Sequence, residues 1–514
     1  MTTRPLLPFL AFALLAGTAH ASDLSIALPS DILSTTPGSN RDDITDSVML
    51  NIVEGLVGYT EGGTVAPLLA SAVELSDDGL TYTFKLRQGI TFHNGEPLTS
   101  ADVLWNWERY TNLDTQWRCL PDVNGTNGLK VTSVEAPDNF TVVMTLDRPS
   151  ALFLDTLART DCAMTGILHS ASVNVDGSWN EPIGTGPFEL EDWRIGQSVT
   201  LARFSDYAAL PGDDYDGYVG NKTAYVDKVT FQVVPDAATN KAAVISGSVD
   251  IAPVSTADFT ELQGTAGVKV IKPTDASKNA ILFQTNDPLF GDVKLRQAIA
   301  AALDIPQLVA FASDGLAEPN NSAVYSKSSY STEATRAPIV HDVKAAKSLL
   351  AESSYNGEVI QIIANQRAPM PSYQVALVTH QMLQAIGINA EIAIQEWATQ
   401  LEHYSAGSYQ LMSFSYSSRL DPALSFDQFA GDKEQQPRKV WDNPAALELI
   451  AEAKVEADPE RRQVIFDELH TLMLADTPLI LLYNGISVWA TSDRVDNFLP
   501  WEGKSRLWGV KVAE

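Results

Sequence analysis

The sequence is poor in cysteine, in basic residues and in long apolar runs. It contains two cysteines, Cys119 and Cys162, and 35 lysines and arginines against 64 aspartates and glutamates. Its formal net charge of -29 disfavours roles on nucleic acid or on anionic membrane surfaces, because such a chain repels phosphate groups. Beyond the first residues, no uninterrupted apolar stretch reaches the roughly 20 residues of a membrane-spanning helix.

Patterns of catalysis and of metal binding are also missing. The sequence has neither a GxSxG elbow nor an HExxH helix nor a Cys-His signature, and its seven histidines show no ligand-like spacing. We therefore expect no metal, no cofactor and no enzyme. An exported hydrolase stays open as the alternative function, because 64 acidic residues leave room for a carboxylate pair in a cleft.

The first 21 residues have the features of a secretory signal peptide. Arg4 precedes the apolar stretch 5–16, and residues 19–21 form a small-x-small cleavage site before Ser22. No cysteine follows the cut, so a lipid anchor is not expected. We expect a periplasmic protein, and in that compartment a disulfide between the two cysteines is favoured over two free thiols.

Hydrophobic periodicity predicts a mixed α/β protein. Residues 80–86 alternate apolar and polar as a half-buried strand does, and Thr99 with Asp102 forms a capping box before a helix at 101–110. From about Asn279, strands and helices alternate, which favours a mostly parallel sheet. Further predicted strands are 24–28, 90–92, 130–135, 141–146, 229–234, 359–363, 389–395, 480–483 and 488–490, and further helices are 44–56, 239–246, 293–303, 342–352, 373–386, 398–403, 444–457 and 459–475.

Several stretches resemble one family when they are taken together and in order. They are NIVEGLVGY (51–59), the segment 67–103, IGTGPFELEDW (183–193), AAVISGSVDIA (242–252), VKLRQAIAAALD (293–304) and the Asp-Pro of LDPALSFDQF (420–429). Across nearly the whole mature chain they are similar to the extracytoplasmic solute-binding proteins of family 5, which serve ABC importers of peptides, nickel and opines.

The resemblance implies an α/β fold of the class II periplasmic-binding-protein type, a two-lobed clamshell with an inserted subdomain. A small peptide-like, opine-like, sugar-phosphate-like or other anionic or polyhydroxylated solute would bind between the lobes of a monomer. Permease subunits in the inner membrane would then receive it. The implied domains are the signal peptide 1–21, lobe I from 22–58, 183–275 and 485–514, the inserted subdomain 59–182, and lobe II from 276–484.

The loop SYSSRLDP carries the main candidate for ligand contact. In peptide-binding members of the family, an aspartate three residues before an acidic-proline pair binds the peptide amine. The matching position here is Ser418, or Arg419 if a one-residue gap is allowed in the loop. Neither residue has a carboxylate to bind a peptide's free amine. This argues against capture of a peptide through its amino terminus. Arg419 could instead donate to a carboxylate, a phosphate or vicinal hydroxyls. Alternatively, it pairs with Asp421 or Asp427.

Arg41 is a second candidate, because a cation at a helix N-terminus is unfavourable unless it meets solvent or an anion. A salt link with the two aspartates that follow it is the alternative. If both arginines line the cleft, we expect an anionic ligand. Aromatic side chains complete the candidate wall, although the hydrophobic core is the rival place for them. The predicted ligand-binding set is Arg419, Arg41, Trp397, Tyr416, Ser418, Asp421 and Trp441.

Overall fold

The computed structural model describes residues 22–39, 42–212, 214–366 and 370–513. The predicted signal peptide and Arg41 lie outside these residues. The strands are β1 Asp23–Leu28, β2 Val57–Tyr59, β3 Val65–Pro67, β4 Ala70–Leu75, β5 Thr81–Leu86, β6 Val131–Asp138, β7 Thr141–Leu146, β8 Phe188–Arg194, β9 Ser198–Arg203, β10 Tyr215–Asp216, β11 Val219–Gly220, β12 Lys228–Val233, β13 Ile251–Val254, β14 Val268–Ile271, β15 Thr274–Phe283, β16 Ile360–Ala364, β17 Ala390–Ile394, β18 Leu411–Tyr416, β19 Leu479–Ile486, β20 Val488–Ser492, β21 Val495–Asp496 and β22 Lys511–Val512.

The helices connect and cover these strands. They are α1 Asp43–Met49, α2 Ser100–Thr111, α3 Phe153–Ala158, α4 Ala237–Ser246, α5 Phe259–Gln263, α6 Val293–Ala302, α7 Ile305–Ala312, α8 Val343–Glu352, α9 Ser372–Ile386, α10 Trp397–Ala406, α11 Pro422–Asp427, α12 Pro444–Ala453 and α13 Pro459–Asp476. Local chemistry sets many of their ends: Asp458 caps α13 ahead of a proline in its first turn, and Gly247 closes α4 at a positive φ of 72°.

Lobe I is built around a seven-stranded sheet with the order β14-β20-β13-β1-β12-β9-β8. Strand β1 runs parallel to both of its neighbours, and the outer pairs are antiparallel. A four-stranded antiparallel sheet, β4-β5-β7-β6, joins it through a shared core in which Leu50 and Tyr218 pack with Phe84 and Met144. The predicted alternation of residues 80–86 is confirmed, since Tyr82, Phe84 and Leu86 are buried.

Lobe II is built around a five-stranded sheet with the order β17-β16-β18-β15-β19. The expectation of a mostly parallel sheet is confirmed for four of the five strands. β17, β16, β18 and β19 run in the same direction, and the exception is β15, which is antiparallel to both β18 and β19. The reason is topological: β15 enters lobe II directly from the crossing and does not belong to a strand–helix–strand unit.

Two segments cross between the lobes. Strand β14 ends at Ile271 and β15 begins at Thr274, while β19 ends at Ile486 and β20 begins at Val488. The crossings lie side by side, since the amide of Ser487 donates to the carbonyl of Pro273 at 3.1 Å. The two-lobed fold that the resemblance implied is therefore present, with both crossings only one or two residues long.

Two predicted elements need correction. The helix expected at 44–56 ends at Met49, because residues 52–56 lie in buried irregular chain under the shared core. The strand expected at 90–92 is reduced to one isolated bridge between Thr91 and Pro97. In both cases tertiary packing decides the conformation where local periodicity was ambiguous.

Among the described residues, no single helix has both the length and the apolar character needed to cross a bilayer. By length and composition alone, α6 and α7 pass this test as a pair, with a bend of 67° between them.

The predicted disulfide between Cys119 and Cys162 is present, with Cα atoms 6.0 Å apart. Both residues are buried in a small core with Tyr110 and Trp117. The bridge ties the loop after α2 to the 3₁₀ segment Thr160–Thr165 that follows α3.

Replacing both cysteines with serine should lower the free energy of unfolding by about 4 kcal/mol, the chain-entropy value for a loop of this length. The sequence separation of 43 residues sets that figure. Denaturant unfolding would measure the loss. The wild-type protein in excess reductant should match the double variant, and equal stability of the oxidised wild type and the variant would contradict the prediction.

Candidate functional site

The two lobes touch along a closed cleft. The amide of Ala151, just before α3, donates to the carbonyl of Lys454 at 2.9 Å, and the amide of Ser329 donates to the carbonyl of Gly62 at 3.3 Å. Leu420 of lobe II is buried in the lobe I cluster that contains Tyr59. The loop after β18 therefore lies against lobe I.

Arg419 lies on this loop, half-buried at the boundary between the lobes. Nη1 donates to the carbonyl of Ser418 at 2.7 Å and to Oγ of Ser417 at 3.3 Å. Within the described ranges, no carboxylate forms an ion pair with Arg419. Burial, and then the neighbouring guanidinium of Arg159, lowers the pKa of Arg419.

The alternative partners proposed for Arg419 are already occupied. Asp421 caps α11 and pairs with Arg462 at 2.6 Å, with both side chains almost completely buried. Asp427 pairs with Lys454 at 2.7 Å. The interpretation of Arg419 as the partner of Asp421 or Asp427 is therefore wrong.

Lobe I presents a group of paired charges opposite Arg419, which we call the arginine cluster: Arg118, Arg159, Asp46, Asp122 and Asp161. Arg159 bonds both Asp122 (2.6 Å) and Asp161 (2.8 Å), and Arg118 bonds both Asp161 (3.1 Å) and Asp46 (3.4 Å). The carboxyl of Asp161 has its pKa lowered to about 2: burial would raise it, but Arg159, Arg118 and Arg419 outweigh burial.

The disulfide holds this cluster in place. Arg118 directly precedes Cys119 and Asp161 directly precedes Cys162, so the bridge brings the two charged residues side by side. Asp46, on the first turn of α1, completes the group from another element. Burial raises the pKa of Asp46 to about 8, against the lowering effect of Lys504 and Arg118.

Ser418 is held by a carboxylate from the C-terminal segment of the chain. Its hydroxyl donates to the carboxylate of Glu502. The same carboxylate accepts a hydrogen bond from the amide of Ala276, which lies near the start of β15, with 3.0 Å between the amide nitrogen and Oε2. Burial, followed by the charge of Asp275, raises the pKa of Glu502 to about 7. Glu502 thus links the cleft loop of lobe II to the hinge.

Two carboxylates, one from each lobe, face each other across the lobe boundary. Asp155 on α3 and Asp421 on lobe II are 8% and 6% exposed. Burial, followed by the charge of Asp421, raises the pKa of Asp155 well above its ordinary value. The hydroxyl of Tyr59 donates to the carbonyl of Asp155 at 3.2 Å. Closure thus brings together groups that interact weakly when water separates them.

The predicted aromatic residues lie mainly in the core of lobe II. Tyr416 is 4% exposed and packs edge-on against Phe414 at 5.2 Å. Trp441 is 3% exposed, and its Nε1 donates to Asp476 at 2.8 Å. Trp397 begins α10, is half-buried and stacks on Phe414.

The structure brings Arg419 and Ser418 to the cleft, and it adds residues that the sequence did not single out. Arg159 could have been suspected from its place three residues before a cysteine of an expected disulfide. Glu502 gave no signal, because it lies 84 residues from Ser418 in the chain. Arg41 lies outside the described residues, and its ligand contact stays a prediction.

Glu502→Gln should stabilise the protein at about pH 8.5 and have little effect at about pH 4.5. The folded protein holds the Glu502 proton up to a pKa of about 7, against an ordinary value of 4.5, so ionisation costs stability progressively as the pH rises between these values. About 3 kcal/mol is the upper limit of the gain, and residual solvent access reduces it. Thermal unfolding across this pH range is the measurement, and a gain of equal size at both ends would contradict the assigned cause.

Comparison with known proteins places the fold and the family. A glutathione-binding protein of Pectobacterium atrosepticum is 24% identical over 492 residues, which cover 93% of this chain and 91% of that protein. The structure of HbpA2 from Haemophilus parasuis superposes with a TM-score of 0.82 at 22% identity, covering 96% of this chain and all of that one. AgaA from A. tumefaciens R10, solved with agropinic acid, gives a TM-score of 0.70 at 24% identity, covering 96% of this chain and 99% of that one.

The family model for the middle region of bacterial extracellular solute-binding proteins of family 5 matches residues 64–437, more than half of the chain. That range contains the four-stranded sheet, the arginine cluster except Asp46, and the loop that carries Arg419. The family predicted from the sequence is thereby confirmed, and the chain belongs to the bacterial extracellular solute-binding proteins of family 5.

Proposed function

We propose that the protein is the periplasmic solute-binding component of an ABC importer, and that it captures a small carboxylate-bearing solute of peptide-like or opine-like chemistry without converting it. The family supports the binding role. A relative named for glutathione binding and a solved structure in complex with agropinic acid support the ligand class, since both compounds carry carboxylates. The hydrolase alternative gains no support from these relatives.

The observation that carries the proposal is the unpaired guanidinium of Arg419. A charged group that leaves water for a closed cleft loses solvation, and a hydrogen-bonded counter-ion is the usual compensation. Among the residues that the structure describes, the guanidinium of Arg419 bonds only a carbonyl and a hydroxyl. A carboxylate of the solute would supply the missing charge in a fork-to-fork geometry that suits arginine.

Binding then favours the closed arrangement, because only that arrangement allows both lobes to contact the solute. The lobes of the proposal follow the boundaries expected from the sequence, with hinge segments near residues 275 and 485. Permease subunits of the inner membrane would recognise the closed form, and the binding protein acts as a monomer.

Mass spectrometry of the solute that co-purifies with the protein identifies the ligand directly. A thermal-shift panel of glutathione, the dipeptide Met-Leu and agropinic acid tests the proposed class, since a ligand of the native state raises the melting temperature by mass action. We expect at least one carboxylate-bearing solute to raise it and the amidated or esterified form of that solute to fail.

Arg419→Ala should weaken binding of the same solute by about 10–100-fold, the effect of losing hydrogen bonds between charged groups. Isothermal titration measures the loss. Arg194→Ala is the matched control, because Arg194 is exposed on β8, pairs with Asp192 and lies outside the cleft. Full affinity in Arg419→Ala would contradict the proposal that Arg419 binds a carboxylate of the solute. Turnover of the bound solute would overturn the transport role.

A further inference from the structure

Arg159 bonds two acids of lobe I through all three of its guanidinium nitrogens. Nε and Nη2 bond the two carboxylate oxygens of Asp161 at 2.9 and 2.8 Å, and Nη1 bonds Asp122 at 2.6 Å. Three of its five N–H groups are therefore committed to these acids. The main contacts of Arg159 are thus with Asp122 and Asp161.

Arg419 lies against the same part of lobe I as these two acids. Its neighbour Leu420 is buried in one cluster with Leu157 and Ala158, which directly precede Arg159. Asp161, Asp122 and Arg159 all act on its charge, the acids favouring the charged form and the arginine opposing it. Without Arg159, Asp122 and Asp161 would be strong acceptors for Arg419 across the lobe boundary. A cross-lobe ion pair would then close the cleft with no solute inside.

We propose that Arg159 is a specificity-determining positioning residue: by holding Asp122 and Asp161, it keeps Arg419 available to a carboxylate of the solute. The inference rests on the proposed function and deepens it. It explains why an arginine with acids nearby stays unpaired in the described part of the chain.

The charges of the arginine cluster agree with this role. Arg118 and Arg159 carry two positive charges, and Asp122 and Asp161 carry two negative ones. Asp46, the fifth member, pairs with Arg118, and burial raises its pKa, which lowers the negative charge it carries. The two acids nearest to Arg419 are thus balanced by the two arginines, and the solute has to bring the anion that closure requires.

The shape of the side chain matters as well as its charge. An arginine at 159 bonds two oxygens of one carboxylate and one oxygen of another in a fixed plane. A lysine has a single ammonium and cannot hold both acids in this geometry. Arg159→Lys should therefore release one acid to Arg419 and give an intermediate effect.

The test is a double-mutant cycle on the protein freed of solute by unfolding, dialysis and refolding. Small-angle X-ray scattering reports the open–closed equilibrium, and thermal unfolding at low and high salt reports the new ion pair. Arg159→Gln should shift the empty protein towards the closed form by about tenfold, the scale of one close charge pair between two surfaces. High salt should weaken that shift.

In Arg159→Gln/Arg419→Gln the shift should disappear, because no guanidinium is left to be captured. A purely structural role of Arg159 would change the single and the double variant alike, so equal behaviour of the two overturns the inference. If Arg159→Gln fails to fold, Asp161→Asn gives the opposite test: the cluster becomes positive and the empty protein should shift towards the open form, and no shift overturns the inference.

The cycle is independent of the identity of the solute. Failure of every compound in the thermal-shift panel would count against the proposed ligand class and leave the cycle intact. Loss of coupling between residues 159 and 419 would count against the role of Arg159 and leave the transport proposal intact.

Discussion

The arrangement of the whole molecule depends on two short crossings between the lobes. Strands β15 and β19 belong to the sheet of lobe II, yet each continues within two residues into a strand of lobe I. Such short links let the lobes rotate about the crossings but hold them in one register. Gly485 lies at this place, and a Cβ atom there would collide with the side chains of Ser277 and Asp275. A larger residue at position 485 would therefore have to displace these two side chains at the hinge.

From this constraint it follows that the cleft is assembled from segments far apart in the chain. The loop after β18 meets residues near 120 and 160 on one side and the C-terminal segment on the other. The protein carries a net charge of -29, yet three guanidinium groups converge at this point. The charge of the ligand that the cleft attracts depends on local ion pairing and not on the net charge of the protein. Acids that are paired with arginines add little to the electrostatic potential in the cleft, whereas a desolvated, unpaired cation adds much.

Much of the fold could be predicted from the sequence. The alternation at 80–86, the Thr99–Asp102 capping box and the helix end at Gly247 were all visible, because each depends on neighbours in the chain. The direction of β15 was not, since it depends on a crossing to another lobe. The family pattern gave the clamshell, which periodicity alone could not.

The candidate site was only partly predictable for the same reason. Arg419 and Ser418 stood out by comparison with a family motif, and the structure puts both at the lobe boundary. Tyr416 and Trp441 carry the same kind of residue-level signal but lie in the core, since an aromatic side chain suits either place. Arg159 and Glu502 act through partners from other segments, and no spacing in the sequence encodes those partnerships.

The position of the disulfide also links the oxidation state of the two cysteines to the charged residues beside them. Cysteine thiols stay reduced in the cytoplasm and pair in oxidising compartments. Because the bridge joins the residues directly next to Arg118 and Asp161, reduction of the thiols would free the two chain segments that hold these charges side by side opposite Arg419.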